Sequence, residues 1–127
     1  MRHVIWCVAC TSLVLLLGCG AGDPSLGSIQ IDPHQAEATS PRGQQAFTAM
    51  GIFSNNTTRM LGSGDNLDWT NSNDLVASID AVSGQAICRA PGTVTITVTA
   101  PDDVTLSGSG GHNSQRKVVA TAMLVCL

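Results

Sequence analysis

Apolar and polar residues alternate from Thr93 to Thr99, with Val94, Ile96 and Val98 set between threonines. A period of two puts alternate side chains on opposite faces, so this segment predicts a strand with one buried and one wet face. Turn chemistry punctuates the chain before it: Pro91-Gly92, then Ser83-Gly84, then the run Asn71, Ser72, Asn73 and Asp74. Residues 67–100 therefore read as β throughout, with strands around Trp69, over 76–79, over 85–89 and over 93–99. Upstream, 28–32 alternates and stops at Pro33, and 34–43 is polar and irregular with Pro41 and Gly43. Residues 45–53 form a strand of open register: Phe47, Ala49 and Gly51 share one face, while Ala46, Met50 and Ile52 share the other. Residues 54–66 and 101–117 lack apolar periodicity and are expected to be two long polar loops, the second leading to a closing strand over 118–127. Short strands at close spacing, with no helical period and no internal repeat, predict an all-β, two-sheet Greek-key sandwich of about seven strands.

The first residues carry a different pattern. A basic head, Met1-Arg2-His3, precedes an apolar run over 4–18, which is fifteen residues long by 18 − 4 + 1. That is signal-peptide length and falls short of the ~20 apolar residues a membrane span needs. Leu16-Leu17-Gly18-Cys19 resembles a bacterial lipobox, which implies that Cys19 is lipidated and becomes the first mature residue. The expected organisation is a signal peptide over 1–18, a lipidated cysteine and Gly-rich tether over 19–27, and one domain over 28–127. Gly20 rather than Asp follows the cysteine, which implies the outer membrane or cell surface in a host with two membranes.

The segments Trp69-Thr70-Asn71-Ser72-Asn73, Val76-Ala77-Ser78-Ile79-Asp80, Gly84 and Pro91-Gly92-Thr93-Val94-Thr95-Ile96 resemble the group 2 bacterial immunoglobulin-like domain, the type found in intimin-like surface proteins. The resemblance implies an immunoglobulin-like sandwich with Trp69, Val76, Ile79 and Ile96 in its core. It also implies that the strands bearing Cys88 and Cys126 meet at the end opposite the tether. With Cys7 and Cys10 in the leader and Cys19 lipidated, an even pair remains in an oxidising compartment, so a Cys88–Cys126 disulfide is expected. The sequence departs from the family in its two long loops and in placing Cys88 where a small apolar residue is usual.

Charge narrows the partners. The formal net charge is −3, or −4 once Arg2 leaves, and the remaining basic residues are scattered, which argues against nucleic acid. Catalytic chemistry leaves little trace: His34 and His112 stand alone, and Ser107-Gly108-Ser109-Gly110-Gly111 matches neither a nucleophile elbow nor a dinucleotide fingerprint. Asp65, Asp68, Asp74, Asp102 and Asp103 miss calcium-loop spacing and read as a solvated acidic rim, so no metal, cofactor or catalytic residue is expected. The expected function is a non-catalytic envelope lipoprotein. Its single domain would serve adhesion or assembly with an unknown envelope or surface protein, the membrane being reached only through lipid. The alternative is a glycan- or peptidoglycan-binding module. Candidate binding residues on the two loops are Asn55, Arg59, Asp65, Asp102, Asp103 and His112.

Overall fold

The computed structural model describes residues 22–108 and 113–127. Cys19 and the leader lie outside the described residues, as does His112. The described chain forms ten strands in two packed layers: β1 (Leu26–Asp32), β2 (Gln35–Ala38), β3 (Gln44–Ala46), β4 (Thr48–Phe53), β5 (Thr58–Leu61), β6 (Asp68–Asn71), β7 (Ala77–Ile79), β8 (Gln85–Cys88), β9 (Gly92–Pro101) and β10 (Lys117–Cys126). One layer is a four-stranded sheet in the order β2-β10-β9-β6. The other has two three-stranded parts, β1-β4-β5 and β3-β8-β7. They join because β3 and β4 are one run of chain interrupted at Phe47, whose N–H donates to the Gly84 carbonyl at 3.0 Å.

The alternation of β9 does what its period requires. Val94, Ile96, Val98 and Ala100 are buried, while Thr93 and Thr95 stay exposed and Thr97 and Thr99 are half-buried. Opposite them, the open register of residues 45–53 resolves with Phe47 and the β4 residues Ala49, Gly51 and Phe53 turned inward and Met50 exposed. This register buries both phenylalanine rings, where the other would bury the smaller side chains of Ala46, Met50 and Ile52. Gly51 permits this: a Cβ there would stand 2.9 Å from the side chains of both Leu26 and Leu61. Trp69 is buried against Phe47, with ring centroids 6.5 Å apart.

Several expectations are corrected. Residues 54–66 are not one loop: β5 pairs antiparallel with β4 and is followed by a 3₁₀ turn at Ser63–Asp65. Thr58 to Leu61 offers only one cycle of alternation, so it is the neighbour β4, not its own pattern, that makes it a strand. Residues 34–43 likewise contain β2, which runs parallel to β10 with Ala36 and Ala38 half-buried. Val76 and Ile79 are half-buried at the margin of the core rather than inside it, because β7 is a three-residue edge strand. The 101–117 connection is not wholly polar surface, since Pro101 still belongs to β9 and Val104 is fully buried.

Candidate functional site

Three segments converge at the end of the sandwich where β1 begins. The Leu26 N–H donates to the Val104 carbonyl (2.8 Å), the Leu106 N–H to Pro24 (2.9 Å) and the Ser54 N–H to Ser25 (2.9 Å), while Ser25 and Thr105 form an isolated bridge. Asp23 adds hydrogen bonds to the Ser107 hydroxyl and N–H. The Ser107 hydroxyl is the main reason that the Asp23 carboxyl titrates below the ordinary carboxylate value, since it stabilises the charged form. This end is therefore laced to the start of the chain's first strand.

Arg59 and Asp65 hold the junction together. The guanidinium grips the carboxylate with two N–H···O bonds of 3.0 Å each, donates to the Thr105 carbonyl at 2.8 Å and lies 5.3 Å over the Phe53 ring. Asp65 is buried and also accepts the Gly62 N–H at 2.9 Å, which closes the 3₁₀ turn. The hydrogen bonds to Asp65 raise the Arg59 pKa against the opposing effect of burial. Both of these loop binding candidates thus make internal bonds.

The remaining candidates are also engaged in local structure. The Asn55 side chain accepts the Thr57 N–H at 3.0 Å beside Asn56, which has a positive φ of 65°. Asp103 accepts the Asn113 and Ser114 N–H groups at 2.8 and 3.0 Å, tying down the far side of its loop. Asp102 stands 3.8 Å from a largely exposed Arg116, a loose pair of little energetic weight. The cysteines meet at the opposite end, where Cys88 and Cys126 form a disulfide with both residues buried. No group of three or more metal-ligating side chains occurs among the described residues. Phe47, Phe53 and Trp69 are all buried, so none of these rings presents a stacking face for a sugar.

A feature with no sequence signal lies between β5 and the turn joining β7 to β8. A groove of about 340 Å³ opens there over Phe47 and Trp69 and is walled by Met60, Leu61, Leu67 and Val82. It exists because the run of chain through β3 and β4 changes partner along its length, from β5 at Ala49 to the Gly84 carbonyl at Phe47. Gly84 must be glycine at this switch: its φ is 75°, and a Cβ would stand 2.7 Å from the Phe47 carbonyl oxygen and 2.8 Å from the Trp69 ring.

Two layers with the β2-β10-β9-β6 order facing a β1/β4 and β3-β8-β7 layer define an immunoglobulin-like sandwich. The family model of the intimin immunoglobulin-like domain matches residues 54–102, a stretch from just before β5 to just past the end of β9. The described residues thus form an immunoglobulin-like sandwich in which residues 54–102 are similar to the immunoglobulin-like domain of intimin. This is a non-enzymatic fold family, and the likeness to intimin points in general to adhesion or protein–protein contact. None of the curated proteins compared with the chain matches it.

Proposed function

We propose that the protein is a non-catalytic lipoprotein of the cell envelope, exported by its N-terminal signal, anchored through Cys19, and engaged in adhesion or assembly with another envelope or surface protein. The observation that carries this reading is the intimin-type immunoglobulin-like match over 54–102. The Leu16-Leu17-Gly18-Cys19 sequence supports the anchor. So does the hydrogen bonding of Asp23 and Pro24 into the sandwich, which places the first described residues beside the 101–117 connection and leaves the disulfide end facing away. A chain that starts from a membrane at that point would present its strands and its disulfide end outward. The glycan-binding alternative loses support because the described aromatic rings are buried.

Substituting Cys19→Ala tests the anchor. Several acyl chains hold a protein firmly at about 0.8 kcal/mol per buried CH₂, so the variant is expected in the soluble fraction or as uncleaved precursor. An unmodified mature N-terminus in the mass spectrum of the parent protein overturns the anchor. Site-directed cross-linking in the native envelope tests the partner, and a parent protein that gives no protein cross-link overturns that part of the reading.

A further inference from the structure

The free edge of β5 and the groove beside it form one continuous feature. Among the described strands only β4 pairs with β5. The Phe53 N–H donates to the Thr57 carbonyl, and the register continues through Gly51 with Arg59 and Ala49 with Leu61. Residues 57, 59 and 61 therefore direct their backbone groups to β4, and the alternation leaves those of Thr58 and Met60 pointing away from it, where the Met60 carbonyl accepts an N–H of Arg59 at 3.3 Å. Among the described residues this leaves a corner of the layer without a strand, because β8 and β7 pair on the β3 side of Phe47. The groove opens into this corner over Trp69, with Met60 (49% exposed) and Val82 (61% exposed) at its mouth.

Exposed carboxylates set the charge beside the groove. Arg59 and Asp65 cancel in their ion pair. Asp68 and Asp80 are exposed, and the bond from the Trp69 N–H to the Ala81 carbonyl (3.0 Å) brings their two segments together beside the groove. The Asp80 carboxyl titrates below its ordinary value, chiefly because it accepts the Ser83 and Val82 N–H groups, so it stays anionic at neutral pH.

We propose that this corner takes an extended, cationic segment of a partner protein. The segment adds as a strand to the outer edge of β5, seats an aliphatic side chain in the groove over Trp69, and sets its lysines or arginines against Asp68 and Asp80. Edge pairing supplies affinity without sequence preference, the groove selects the apolar residue, and the carboxylates select the sign of its flanks. The inference deepens the protein-contact reading and rests on it.

The test uses the full chain in detergent and dye-labelled peptides read by fluorescence anisotropy. One peptide alternates Leu and Thr between lysine flanks, one replaces the lysines by glutamates, and one replaces each Leu by Ser. The lysine peptide is expected to bind, less tightly as salt rises, and the other two at least about 10-fold more weakly. Met60→Pro removes one outward-facing N–H, at an edge position where proline is tolerated, and Val82→Lys puts a cation at the groove mouth. Each is expected to weaken the lysine peptide by about 10-fold or more with an unchanged melting curve. If Met60→Pro lowers the melting temperature, Val82→Lys on its exposed turn carries the test alone. Failure of the parent chain to bind the lysine peptide, or equal binding by Val82→Lys, overturns the proposal. Cross-linking of Val82→Lys in the envelope separates it from the broader reading: loss of the parent's protein cross-links supports the corner as the contact. Cross-links that persist when peptide binding is lost overturn the corner and leave the protein-contact reading standing.

Discussion

Asp65 is the buried acidic residue of the domain, and its surroundings explain why the chain tolerates it there. Its side chain is 7% exposed and its oxygens accept from the Arg59 guanidinium and from the Gly62 N–H. A buried carboxylate without such partners would cost several kcal/mol, so the ion pair offsets a desolvation penalty more than it adds stability. The asymmetry fixes the prediction. Asp65→Ala leaves the Arg59 guanidinium half-buried without its acceptor and opens the turn at Gly62, and is expected to destabilise the domain by about 2–3 kcal/mol. The double variant Asp65→Ala with Arg59→Met, which removes both charges and keeps an apolar stem over Phe53, is expected to recover part of that loss. Urea denaturation of the two variants and the parent measures both effects, and equal stability of all three would show the pair to be energetically idle.

The elements that the sequence makes plain are those whose pattern is set by their own burial. β9 alternates over its whole length, so its face, register and core residues are all readable from Val94, Ile96 and Val98. β2 and β5 are strands by adjacency: Gln35–Ala38 and Thr58–Leu61 carry too little apolar periodicity to declare themselves, and each is formed by the backbone groups of a longer neighbour, β10 or β4. The candidate residues on the two loops are polar, yet a polar side chain in a long connection can equally satisfy the connection itself. Asn55, Arg59, Asp65 and Asp103 do so, and no local pattern distinguishes that use from binding a partner. The groove over Trp69 depends on where the run through β3 and β4 changes partners, a non-local fact that is invisible in any window of sequence. The connection after β9 teaches the same point through Val104, which is fully buried among polar neighbours and whose carbonyl receives the Leu26 N–H. Val104→Ala is expected to cost about 2 kcal/mol, whereas Val119→Ala, on the exposed face of β10, is expected to stay within about 0.5 kcal/mol of the parent. Denaturant midpoints of the two variants check the contrast; similar values would mean that the connection is not part of the core.

At the scale of the whole molecule the two layers are secured differently at their two ends. Where β1 begins, backbone hydrogen bonds and the Arg59 contacts to Asp65 and Thr105 lace the connections together. At the other end the Cys88–Cys126 bond joins β8 of one layer to β10 of the other. The bond therefore opposes separation of the layers, the motion by which a sandwich with a small, mostly aliphatic core would open. It closes a loop with a sequence separation of 38 residues, for which chain entropy gives a contribution of about 4 kcal/mol. Domains of this size are stable by only about 5–15 kcal/mol in total, so reduction removes a large fraction of the margin. Reduction must also reach the bond first. Cys88 is 1% exposed and Cys126 2%, so a thiol reagent can attack only after the end of the sandwich has opened. The native protein is accordingly expected to resist millimolar dithiothreitol for hours and to become reducible when urea populates the unfolded state. Once reduced, it is expected to melt about 15–30 °C lower, from ~4–8 °C per kcal/mol for a domain of this size. Thiol titration over time with and without urea, followed by melting of the reduced and oxidised forms, measures both parts. Rapid reduction without urea would mean that this end opens freely, and an unchanged melting temperature would mean that the two layers hold together without the bond.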